Sequence, residues 1–130
     1  MSAAVFHTFP EAPTAVAPYS HVVEKDGWFF ITGQLPTGVD PQEEVPEGIE
    51  AQTHKTMANL RTVLQKIGCT FDDVVSARVY LTSFKRDYAA MNRVYSSYFE
   101  PGRFPARTCI GVTALARDCL VEIDLVARKA

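Results

Sequence analysis

Between residues 48 and 99 the hydrophobic period of the chain changes twice, and these changes restrict the fold more than any other feature of the sequence. From Gly48 to Ile67, the apolar residues Ile49, Met57, Leu60, Val63, Leu64 and Ile67 recur at helical spacing, and Gly68 supplies a C-terminal stop. Val74–Leu81 then alternates, with Val75, Ala77, Val79 and Leu81 on one face and Val74, Ser76, Arg78 and Tyr80 on the other, the two-residue repeat of a strand. Arg86–Phe99 returns to helical spacing through Tyr88, Met91, Tyr95, Tyr98 and Phe99 before Pro101-Gly102 ends it. Helix, strand and helix in succession, each with one apolar face, call for a sheet on which both helices bury that face.

The flanking segments supply the other strands. Lys25-Asp26-Gly27 separates His21–Glu24 from Trp28–Thr32, and Asp-Gly between apolar runs is a strong hairpin signal. Pro36–Pro46, with three prolines, one glycine and several acids, reads as a surface loop. Near the other end, Thr108–Thr113 and Cys119–Ala127 are expected to form a second hairpin turning near Ala116–Arg117. The resulting order is β-β-α-β-α-β-β, an α+β fold with two helices on one face of a mixed sheet. At 130 residues and 47% hydrophobic content, the chain reads as a single domain, 1–130, with one core.

Composition narrows the function classes. Thirteen basic against fifteen acidic residues leave a net charge of -2, which argues against a nucleic-acid footprint built on a dense basic face. Met1–Pro18 has no cationic start and no continuous apolar stretch, and nowhere do eighteen apolar residues run together, so the expected location is cytoplasmic, away from membranes. Cys69, Cys109 and Cys119 form no CxxC pair, and His7, His21 and His54 show no ligand spacing, so no metal is expected. Gly33 and Gly38 belong to no phosphate-binding glycine motif, and no nucleotide cofactor is expected.

Chemistry concentrates in Phe104–Asp124. Arg107 follows Pro105 at the start of one β-like run, and Glu122 lies in the other, where Val121, Ile123 and Leu125 alternate with Glu122 and Asp124. In a hairpin the two would sit on adjacent strands. A guanidinium grips a small carboxylate through two parallel hydrogen bonds, and a neighbouring glutamate can move a proton. The plainer reading of the same pair is a cross-strand ion pair on a solvated face, of little energetic weight.

The chain from Ala17 onward resembles the reactive intermediate deaminase A family (RidA, also called YjgF). Five landmarks carry the resemblance in order: Ala17-Pro18-Tyr19-Ser20, Phe30-Ile31-Thr32-Gly33-Gln34-Leu35-Pro36, Glu50-Ala51-Gln52-Thr53, Tyr88-Ala89-Ala90-Met91-Asn92, and Pro105-Ala106-Arg107-Thr108-Cys109 with Val121-Glu122-Ile123. The resemblance implies a chorismate-mutase-like homotrimer with sites between subunits, acting without cofactor on small 2-imino acids such as 2-iminopropanoate and 2-iminobutanoate. It implies that Arg107 binds the substrate carboxylate with help from the backbone N–H of Cys109, and that Glu122 orients water or exchanges a proton with the imine nitrogen. Tyr19, Thr32 and Gly33 are then substrate-binding, and Asn92 gives structural support. The expected partition places Arg107 and Glu122 on one chain and Tyr19 or Thr32 on its neighbour.

Four positions depart from the family pattern. Thr32 stands where serine is common, which keeps the hydroxyl and adds a methyl group. Ala116 replaces a frequent proline, and Asp118-Cys119 replace small residues. Alternative activities under the same resemblance are RNA cleavage or translation inhibition, deamination of another imine or enamine, and binding of metabolites without turnover.

Overall fold

In the computed structural model, which describes residues 3–129, the two helical stretches form α1 (Ile49–Lys66) and α2 (Phe84–Ser96). Six strands accompany them: β1 (Val5–His7), β2 (Val22–Lys25), β3 (Trp28–Gln34), β4 (Val74–Leu81), β5 (Ala106–Gly111) and β6 (Val121–Arg128). Both helices and the strand between them lie where hydrophobic periodicity places them. The first hairpin turns at Asp26 and Gly27, with φ of 53° and 82°, the left-handed geometry that an Asp-Gly pair accepts. The additional strand, β1, is three residues long and pairs with β2, too short for alternation to register in the sequence.

All six strands form one sheet in the order β1-β2-β3-β6-β4-β5. β6 therefore runs through the centre, antiparallel to both β3 and β4, while β5 lies parallel to β4 at an edge. This corrects the expected C-terminal hairpin. The chain leaves β5, passes a short 3₁₀ turn at Ala116–Asp118 and enters on the far side of β4. Alternation in Val121–Arg128 reports burial on one face and is silent about which neighbour the strand takes.

α1 and α2 cover one face, and the core lies beneath them. Met57, Leu60, Val63 and Leu64 from α1 and Met91 from α2 meet Phe29, Ile31, Ala77, Val79, Leu81, Val121, Ile123 and Leu125 of the sheet. The register slips between Val74 and Ser76, so Val74 is buried while Val75, expected to share the face of Ala77, is 43% exposed. Among the described residues no layer covers the opposite face: Phe30 and Ile110 are also exposed there.

Buried side chains on α1 tie the site loops to this frame. Asn59 Nδ2 donates to the carbonyls of Leu35 and Thr37 at 2.9 and 2.8 Å, holding the chain after β3. Gln52 donates to Pro46 O at 2.9 Å and accepts from Leu120 N at 2.7 Å, joining the approach to α1 with the start of β6. Two of the four buried polar residues of α1 thus satisfy loop backbone groups that have no sheet partners. Among the described residues no helix is long and apolar enough to cross a membrane.

Candidate active site

Arg107 is the second residue of β5, two positions after Pro105, and faces α2. Its Nη1 donates to Asn92 Oδ1 at 2.8 Å and its Nη2 to the Tyr88 hydroxyl at 3.4 Å. The guanidinium carbon stands 4.9 Å from the ring centroid of Tyr95 and 5.8 Å from that of Tyr88. Stacking on aromatic faces and an amide acceptor orient the guanidinium plane without neutralising it. Among the described residues no carboxylate comes within ion-pair distance of Arg107. An oriented cation without an internal counter-ion is chemically able to receive an external carboxylate.

Burial pushes the Tyr95 hydroxyl up to about 12, against the opposing influence of Arg107, so this ring stays neutral beneath the cation. Cys109 follows on the same side of β5. Burial raises its thiol above the usual range, and the Arg107 charge offsets this only in part. The sulfur is therefore protonated at neutral pH and a poor nucleophile.

Glu122 belongs to a second group of residues at the other side of the sheet. It pairs with Tyr80 in the register of β4 and β6, on the face that the helices leave open. The pairing of β3 with β6 is irregular between Ile31 and Gln34, and this irregularity brings Gly33 against the Glu122 carboxyl group. Tyr19 and Thr32 stand beside Gly33 around an open depression of about 360 Å³. Thr32 is pinned by its backbone N–H, which donates to His21 O at 3.0 Å.

Burial raises the Glu122 carboxyl above the ordinary range, and the nearby Asp124 carboxylate raises it further. Asp124 is itself held by Arg78 Nε, at 2.9 and 3.2 Å to its two oxygens, and by the Tyr80 hydroxyl at 3.0 Å. Arg107 has no part in this shift. A carboxyl group displaced toward neutral pH can give and take a proton within one reaction cycle.

Gly33 has no side chain for a geometric reason. A Cβ there would overlap Glu122 Oε2 and lie 3.0 and 3.2 Å from its Cδ and Cγ. Because the obstructing atom ends a flexible side chain, Gly33→Ala is expected to keep its melting temperature within a few degrees. If Glu122 is the proton carrier, turnover is expected to fall by about tenfold or more, because the carboxyl group must move. Thermal melting and kcat measured on one preparation separate the two effects.

The expected adjacency of Arg107 and Glu122 does not hold within one chain. Arg107 is in register with Ala77, whose side faces the helices, whereas Glu122 is in register with Tyr80 on the open face. β4 lies between their strands, a lateral offset of about 10 Å at the usual strand spacing. The structure therefore brings together Tyr19, Thr32, Gly33 and Glu122, and separately Arg107, Cys109 and Asn92. This replaces the partition expected from the sequence, in which Glu122 accompanied Arg107.

Tyr88 and Tyr95 went unassigned as site residues in the sequence reading. Their spacing around Asn92, four residues before and three after, puts all three on one helix face and was a usable signal. Asp124, two residues beyond Glu122 on the same strand face, was equally visible. Among the described residues no cluster of three histidine, cysteine or acidic side chains is arranged to hold a metal ion.

Comparison with known proteins gives a consistent result. The family model described as endoribonuclease L-PSP matches residues 9–129. A RutC family protein of Synechocystis is 39% identical over 120 residues, covering 90% of each chain. The mouse protein named 2-iminobutanoate/2-iminopropanoate deaminase is 37% identical over 119 residues, covering 90% of this chain and 85% of its own. The crystal structure of RidA from the Antarctic bacterium Psychrobacter superposes with a TM-score of 0.88 at 30% identity, covering 96% of this chain and 99% of the other.

Proposed function

The chain belongs to the endoribonuclease L-PSP family, the RidA/YjgF family, and from that premise we propose that it hydrolyses small 2-imino acids, such as 2-iminopropanoate and 2-iminobutanoate, to 2-keto acids and ammonia. The observation that carries this reading is the pairing of chemistries in the two half-sites. One offers an oriented arginine with no internal carboxylate partner, the other a carboxyl group raised toward neutral pH. The name of the mouse relative supports the same substrate class.

In the proposed reaction the substrate carboxylate binds Arg107 through paired N–H donors, assisted by the backbone N–H of Cys109. Glu122 accepts a proton from water as its oxygen adds to the carbon of the protonated C=N bond. The same carboxyl group returns the proton to nitrogen, and its regenerated carboxylate takes the hydroxyl proton as the carbinolamine expels ammonia and the carbonyl forms. Binding one end and supplying a proton carrier at the other restricts the substrate to productive orientations. No cofactor is needed for this step.

Because Arg107 and Glu122 lie on opposite faces of one sheet, the working site in this proposal joins Arg107, Cys109 and Asn92 of one copy to Glu122, Gly33, Thr32 and Tyr19 of the next. A closed ring of three copies satisfies every half-site. The exposed apolar side chains Phe30, Val75 and Ile110 on the uncovered sheet face are suited to such an assembly. The proposed setting is the cytosol.

RNA cleavage, the activity in the family's description, finds less support in the side chains. His7 pairs with Glu24, His21 binds Pro13 and Phe9, and His54 meets Tyr98, so the histidine rings have their hydrogen bonds with groups other than Arg107 and Glu122. The deaminase reading is tested by generating imines from alanine and 2-aminobutyrate with an amino-acid oxidase and trapping the survivors with semicarbazide. Catalytic amounts of the protein are expected to suppress semicarbazone formation. No suppression by folded protein would refute the proposal.

A further inference from the structure

A second, smaller cavity of about 70 Å³ adjoins the Glu122 half-site, with Tyr19 and Gly33 on its near side. Pro13, Val16, Leu35 and Pro41 contribute apolar wall, and Arg117 is the cationic side chain on its border. We propose that Arg117 determines substrate specificity by receiving a second carboxylate, at the far end of the side chain of a 2-imino dicarboxylic acid. This rests on the deaminase reading above and extends it to a substrate subclass.

Three observations lead there. Gly33 stands against the Glu122 carboxyl group and also borders the cavity, so this space lies next to the position where a ligand would react beside Glu122. The Arg117 guanidinium donates from Nη2 to Glu43 O at 3.1 Å, yet among the described residues it has no ion pair. An anchored guanidinium keeps further N–H donors for an incoming carboxylate. Finally, Arg117 and Asp118 are consecutive left-handed residues, with φ of 57° and 54°, and neither is glycine. That uncommon backbone brings a long basic side chain from the β5–β6 connection to the cavity.

The chemistry is unchanged by the second carboxylate. Water adds across the protonated C=N bond of an imine derived from aspartate or glutamate, the C–N bond breaks, and the 2-keto dicarboxylate and ammonium leave. Arg107 holds the carboxylate next to the reacting carbon, and Arg117 holds the other. The apolar wall between them accommodates the intervening methylene groups. A side chain ending in a methyl group leaves the Arg117 donors unused.

The test compares imines made in situ from aspartate, glutamate and alanine, using the full chain and Arg117→Gln. The wild-type kcat/KM is expected to be higher for the dicarboxylic imines. Arg117→Gln should lower the ratio of dicarboxylic to alanine-derived kcat/KM at least tenfold, chiefly through KM. Arg117→Lys should restore part of the ratio, since it returns charge without paired donors. A ratio unchanged by Arg117→Gln overturns the proposal, as does an equal fall for every imine. If wild type hydrolyses none of them, the deaminase reading fails, and titration calorimetry with 2-oxoglutarate and pyruvate decides the role of Arg117 separately. Selective weakening of 2-oxoglutarate binding in Arg117→Gln then supports it, and identical binding of both keto acids by both proteins refutes it.

Discussion

Arg107→Ala is expected to lower kcat/KM for 2-imino acids by about 100-fold or more, the scale on which loss of a charge-assisted, paired contact weakens recognition. Arg107 is half-buried at an edge strand and contributes no apolar core group, so the fold should persist. Arg107→Lys should recover little activity. An ammonium group restores the charge but presents neither a planar pair of donors nor a surface that stacks on Tyr88 and Tyr95. Initial rates of imine loss, with circular dichroism on the same samples, check this expectation. Wild-type rates in Arg107→Ala would remove the carboxylate anchor from the mechanism.

Glu122→Gln should reduce kcat by about 100- to 10,000-fold, the usual contribution of a positioned acid–base group, with a smaller change in KM. Glutamine preserves size and much of the hydrogen bonding but cannot shuttle the proton. Its effect on stability has the opposite sign. Burial and Asp124 raise the folded-state pKa of Glu122 above its unfolded value. The stability gained from its protonated form is complete below the ordinary carboxylate pKa and is lost as pH rises through the elevated folded value.

At neutral pH the half-buried charge therefore weighs against folding, and Glu122→Gln relieves it. The variant should melt above wild type near pH 7, with the difference disappearing below about pH 4. Melting curves across that interval test the sign. A variant that is less stable at neutral pH would show that the Glu122 carboxylate has a favourable partner.

Local periodicity made most of the fold readable. Leu60, Val63 and Leu64 repeat at helical spacing because one face of α1 is buried, and Ala77, Val79 and Leu81 alternate because one face of β4 is buried. Strand neighbours were less legible. Insertion of β4 between β5 and β6 depends on long-range pairing, to which an alternating sequence is indifferent. Arg107 and Glu122 consequently appeared adjacent in sequence-based reasoning although they face opposite sides of the sheet. The contact between Gly33 and Glu122 was hidden for a related reason, since the irregular β3–β6 register that creates it has no local signature.

In the proposed site two incomplete halves, from neighbouring copies, become one. Arg107→Ala retains the Glu122 half, and Glu122→Gln retains the Arg107 half. Unfolding the two inactive variants together and refolding them at equal concentration should form mixed rings in which an intact Arg107 faces an intact Glu122. Random assembly of a three-membered ring places complementary halves together at about one quarter of its interfaces, so about a quarter of wild-type kcat per site should return. Native mass spectrometry of differentially tagged chains establishes that mixed trimers have formed. Recovery near that level is the predicted result; mixed trimers no more active than either parent would contradict a site shared between chains.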